Sequence, residues 1–114
     1  MIRPIAERRE DRRYDLRVPV HYRIAQRGEP VISGSGFTFD LSVHGISFRC
    51  RKLLPVGVHI EVSVDWPARY RNIHPIELRG TGFVVRSDHG RTAMRMTSHR
   101  LHVSMDAMQA VLSA

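Results

Sequence analysis

The chain has 114 residues, 42% of them hydrophobic, which is room for one core and too little for two. Eighteen Lys and Arg against eleven Asp and Glu leave a formal net charge of +7, so an anionic partner is expected: nucleic acid, a phosphate-bearing small molecule or an anionic membrane surface. Cys50 is the only cysteine, which excludes an intrachain disulfide and a thiolate metal cluster.

Residues 1–16 are polar and charged, without periodicity, and carry Arg3, Arg8, Arg9, Arg12 and Arg13. They read as a flexible basic arm, and residues 17–114 as the folded domain. From Arg17 onward, Val18, Val20, Tyr22 and Ile24 alternate with Pro19, His21 and Arg23, the period-two pattern of a half-buried strand. Gln26–Pro30 is a turn by composition. A second strand runs from Val31 through Gly34 and Gly36 to Phe39, its glycines marking bends of the kind a barrel needs. Asp40–Gly45 is a turn, and Ile46, Phe48 and Cys50 mark a third strand. After Leu53–Gly57, the series Val58, Ile60, Val62 and Val64 is the clearest strand in the chain. Trp66–Arg71 reads as a loop, with Trp66-Pro67 plugging the end of the core.

Ile76–Arg86 is a fifth strand, Ser87-Asp88-His89-Gly90 a hairpin turn, and Thr92–Thr97 a sixth strand. Met105, Met108 and Leu112 fall at helical spacing, which allows a short terminal helix that depends on packing. The fold class is therefore all-β: six antiparallel strands in a small barrel or sandwich. With aromatics at 7%, its core rests on Val, Ile, Leu and Met. No βα alternation supports a parallel dinucleotide-binding sheet. Met1–Glu7 holds no apolar leader, and no run approaches the ~20 apolar residues that span a bilayer. A soluble cytoplasmic protein is the expectation.

Two local patterns carry the chemistry. One is Arg12-Arg13-Tyr14-Asp15-Leu16-Arg17-Val18-Pro19-Val20, in which Arg13 and Arg17 are separated by three residues and run into a strand. The other is Asp40-Leu41-Ser42-Val43-His44-Gly45. In this order and separation they resemble the Arg-x-x-x-Arg and Asp/Asn-x-Ser-x-x-Gly signatures of the PilZ family. Gly80–Arg86 is similar to that family's late strand, and the likeness covers roughly residues 12–97. Arg8 and Arg9 stand at the same distance before Arg12 and Arg13. The Arg13/Arg17 register is preferred because Val18-Pro19-Val20 follows as the family's first strand does.

The resemblance implies a six-stranded PilZ-type barrel that binds cyclic di-GMP through Arg12, Arg13, Arg17, Asp40, Ser42 and Gly45. It further implies that an arginine at position 12 accompanies an intercalated ligand dimer, and that a downstream protein reads the ordered arm. The residue types fit that ligand. An arginine fork meets the O6 and N7 acceptors of guanine, and a carboxylate accepts from the opposite edge. Ser42 can donate to a phosphate oxygen, and Gly45 allows a positive-φ turn or close ligand approach.

Two other readings stand beside this one: a PilZ-like protein-interaction domain that binds no nucleotide, and a basic nucleic-acid-binding barrel. The second would need exposed aromatics, for which Tyr14, Tyr22, Phe37 and Phe48 are the candidates. Asp40 and Ser42 taken alone would be ordinary turn-capping residues. His99 and His102 would share a helical face, but no adjacent carboxylate or cysteine completes a metal site. No catalytic set of residues is indicated, and neither a cofactor nor a metal is expected.

Overall fold

The computed structural model describes residues 4–8, 11–42, 44–71 and 73–103, with side chains from Asp15 onward. Eight strands follow one another: β1 (Pro4–Arg8), β2 (Asp11–Tyr14), β3 (Pro19–Ile24), β4 (Ile32–Leu41), β5 (Gly45–Arg49), β6 (His59–Tyr70), β7 (His74–Asp88) and β8 (Arg91–Val103). Strands β4-β3-β6-β7-β8-β5 lie side by side, every pair antiparallel, and β5 returns to β4. The six expected strands thus form a closed barrel, which leaves none of them with an unpaired edge. β1 and β2 pair as a hairpin within the arm and join the barrel where Tyr14 lies opposite Leu41.

Alternation fills the barrel. Val20, Tyr22 and Ile24 of β3, Ile60, Val62 and Val64 of β6, and Ile46 and Phe48 of β5 are all buried. Tyr22 and Phe48 stack with ring centres 5.7 Å apart, and Trp66 packs half-buried against this core. Leu16, counted with the arm in the sequence, is buried in the same cluster.

Three expectations need correction. Trp66–Arg71 is not a loop, because β6 continues to Tyr70. Asp65 pairs with Glu77 and Arg69 with Pro75, so residues 66–68 bulge opposite Ile76 and hide the alternation. Pro67 sits in that irregularity, where no ladder donor is needed. The sixth strand likewise runs past Thr97 to Val103: Ser98 pairs with Thr81 and Met96 with Gly82, so Thr97 is an extra residue that flips the pattern. His99 and His102 therefore lie on a strand, where a three-residue separation puts side chains on opposite faces rather than on one helical face. The helix expected over Met105–Leu112 lies outside the described residues.

The Cys50 thiol donates to the Tyr22 hydroxyl at 3.2 Å. Burial first pushes the Tyr22 phenol well above its ordinary value of 10.0, and the proximity of Cys50 adds to the rise. The unfolded chain therefore loses this proton first. The stability involved is fully present below the ordinary value and is lost as pH rises above it. Urea midpoints taken from about pH 9 to about pH 11 are expected to fall more steeply for the wild-type chain than for Tyr22→Phe.

Candidate functional site

The end of β4 is irregular. Thr38 pairs with Phe48 and Asp40 with Ser47, so Phe39 is an extra residue with no partner on β5. Bulges of this kind re-aim the side chains around them. Asp40 is consequently a strand residue beside the bulge and not part of the turn read from the sequence. Thr38, fully buried, clamps the segment leading out of the arm. Its hydroxyl donates to the Leu16 carbonyl and accepts from the Val18 N–H at 3.0 Å, and its own N–H donates to the Val18 carbonyl at 2.9 Å. The backbone on both sides of Arg17 is thus held against β4.

Ser42 opens the turn that follows. Its N–H donates to the Gly45 carbonyl at 2.9 Å, and the Gly45 N–H returns a bond to the Ser42 carbonyl at 3.4 Å. Ser42 Oγ accepts from the His44 N–H at 3.2 Å, so the turn-capping role is real, and the hydroxyl proton is still available to donate outward. The Met96 N–H donates to the His44 carbonyl at 2.8 Å and ties the turn to β8.

Gly45 does not adopt the positive φ that was one of its expected uses; among the glycines, that conformation is found at Gly28, Gly57 and Gly90. The reason for glycine is instead close approach within the barrel. A Cβ at Gly45 would lie 2.6 Å from the Met94 carbonyl oxygen, so β5 could not seat against β8.

On the outside of that β5–β8 ladder lies an open depression of about 600 Å³. Gly45 stands opposite Arg95, Ser47 opposite Ala93, and Arg49 opposite Arg91. The floor is therefore made of small residues, with Arg91 and Arg95 each two residues from Ala93 on the same strand face. Arg86 pairs with Ala93 across β7–β8 and adds a third cation. Asp40, Ser42 and His44 close the rim on the side of β4. Ser47 Oγ is buried in this floor, without a hydrogen-bond partner among the described residues. Three arginines and one carboxylate around a polar floor suit a small anion that also carries hydrogen-bond donors.

The structure brings Asp40, Ser42 and Gly45 to this depression and sets Arg17 beside it. The guanidinium of Arg17 lies 5.8 Å from the centre of the Phe39 ring, and that of Arg91, a lining residue, lies 4.1 Å from it. The backbone of Arg12 and Arg13 runs in β2, two residues and one residue before the Tyr14–Leu41 pairing that joins β2 to the end of β4; their side chains lie outside the described residues. The sequence reading missed Arg91 and Arg95 and used Arg86 only as part of a strand. The available signal was Arg91-Thr92-Ala93-Met94-Arg95, two arginines on the solvent face of a strand with a small residue between them. Among the described residues, no group of His, Cys, Asp or Glu is arranged to hold a metal, and no helix is long and apolar enough to cross a membrane.

Comparison with known proteins agrees with this architecture. No curated protein matches the sequence. The structure of the Bacillus subtilis inhibitor of motility, MotI/DgrA, superimposes with a TM-score of 0.59 at 16% identity over 95% of this chain. The chain spans 49% of the length of that protein. The PilZ domain of CeSA from a cellulose-synthesizing bacterium superimposes with a TM-score of 0.54 at 19% identity, covering 88% of this chain and 90% of that one. At such identities the likeness shows a shared fold. The family model for the PilZ domain matches residues 7–112, nearly the whole sequence, and the chain belongs to the PilZ domain family.

Proposed function

We propose that this chain is a cyclic di-GMP receptor, and that the ligand lies in the depression over β5 and β8 with the arginine-rich arm closing on it. The observation that carries this reading is the convergence of Asp40 and Ser42 with Arg86, Arg91 and Arg95 around one depression, with Arg17 at its lip. Asp40 accepts from the Watson–Crick edge of one guanine while arginines meet the O6 and N7 edge and the phosphodiesters. Ser42 supplies a hydroxyl donor to a phosphate oxygen. Arg12 and Arg13 arrive from β2 at the same end of β4. Two ligands per chain, intercalated, are expected from the arginine at position 12. A downstream protein then reads the closed arm, and the ligand shifts the arm by binding the closed state more tightly than the open one.

Magnitudes favour a composite site. Micromolar affinity needs about 8 kcal/mol, and one bidentate guanine contact supplies roughly 1–3 kcal/mol of discrimination. Several arginines must therefore act together. The nucleic-acid reading loses two of its four candidate stacking residues, because Tyr22 and Phe48 are buried in the core, while Phe37 stays exposed.

Isothermal calorimetry with cyclic di-GMP, with GTP and cyclic di-AMP as controls, tests the proposal. Selective micromolar binding is the expected result. A folded chain that gives no heat with cyclic di-GMP would sink it and favour a protein-interaction module.

A further inference from the structure

Phe39 has no role in either sequence signature, yet the barrel singles it out. As the extra residue of the β4 bulge it owes nothing to the ladder, and it is only half-buried. Around its ring gather Arg17 from the end of the arm and Arg91 from the first position of β8. Arg49 stands directly opposite Arg91 on β5, so a third cationic residue shares this part of the sheet. Among the described residues no carboxylate is ion-paired with any of the three. Like charges opposed across a ladder repel. The negative face of an aromatic ring offsets part of that repulsion and fixes where two of the guanidinium planes lie.

We infer that Phe39 is the positioning residue of this site: its ring is the resting seat of Arg17 and Arg91, from which both guanidinium groups pass to the ligand. The inference rests on the cyclic di-GMP reading and deepens it. A guanidinium stacks on a purine by the same physics by which it stacks on phenylalanine. A guanine entering the depression can therefore replace the Phe39 ring against either arginine without either cation passing through an unpartnered state. The arm end and β8 are held in register with each other before the ligand arrives, which reduces the ordering cost of binding.

The test compares Phe39→Leu and Phe39→Tyr with the wild-type chain. Leucine keeps an apolar side chain at the bulge but removes the aromatic face, whereas tyrosine keeps the face. Two readouts are needed. In the free protein, the side-chain proton resonances of Arg17 and Arg91 are expected to be shifted by the ring in the wild type and in Phe39→Tyr, and to lose that shift in Phe39→Leu. In calorimetry, Phe39→Leu is expected to bind cyclic di-GMP about tenfold more weakly and Phe39→Tyr within about twofold of the wild type. A wild-type chain that binds the ligand while Phe39→Leu binds equally well overturns the positioning role and leaves the receptor reading standing. A wild-type chain that binds no cyclic di-GMP overturns the receptor reading, and the role built on it falls too. Unshifted Arg17 and Arg91 resonances in the wild type remove the resting seat whatever the affinity.

Discussion

The Asp40→Ala variant is expected to keep the wild-type fold and to give no measurable heat with cyclic di-GMP at micromolar concentration. Asp40 is half-buried at the rim of the depression, and it pairs through its backbone with Ser47. That pairing does not use the carboxylate, so its removal leaves the strand intact. What is lost is an acceptor for two donors on one guanine edge. Hydrogen bonds to a charged group contribute about 1.5–3 kcal/mol each, so losing two weakens binding by a factor on the order of a hundred or more. An opposing effect has to be weighed. Removing a negative charge beside Arg86, Arg91 and Arg95 makes the depression more attractive to phosphates. In an open, solvated depression that gain is about 1 kcal/mol for a pair at 4 Å. The lost hydrogen bonds win. Asp40→Ala binding with wild-type affinity in calorimetry would remove Asp40 from the site.

The Gly82→Ala variant is expected to lose about 3 kcal/mol of stability or more. Gly82 is buried on β7, and a Cβ there would overlap the carbonyl oxygen of Arg95 and lie within 3.0 Å of the Met96 Cα. Those atoms belong to the backbone of β8, so no rotamer change relieves the clash. Overpacking in well-filled cores costs about 1–3 kcal/mol when side chains can shift, and more when the obstacle is backbone. Relief would require β7 and β8 to separate beside the Thr97 bulge, where the ladder is already irregular. With a urea m-value of about 1–1.5 kcal/mol/M for a domain of this size, the midpoint should fall by roughly 2 M or more. A fall under ~0.5 M would mean that the strands at this crossing yield easily.

The two substitutions act on parts of the molecule that differ in how far they could be read from the chain. Asp40 was legible because the motif is local: Asp40, Ser42 and Gly45 lie within six residues, spanning the end of β4 and the turn that follows it. Gly82 was legible only as a bend. What it avoids is the carbonyl of Arg95, and that neighbour is set by the β7–β8 register, with its bulge at Thr97.

By itself the sequence determined the strand-rich class, the six barrel strands, the hairpin at His89-Gly90 and the two motifs, because period-two alternation and turn chemistry act between near neighbours. Its errors fell at Trp66–Arg71 and beyond Thr97, where bulges shift the alternation by one residue and conceal a continuing strand. Only the tertiary structure decided that Arg86, Arg91 and Arg95 face Asp40 and Ser42. That meeting requires β5 to pair with β4 on one side and β8 on the other, and barrel closure is a long-range condition that no local pattern records. The same holds for Phe39: its alternation resembles that of any strand residue, and only the unequal pairing of β4 with β5 turns its ring toward two arginines from distant parts of the chain.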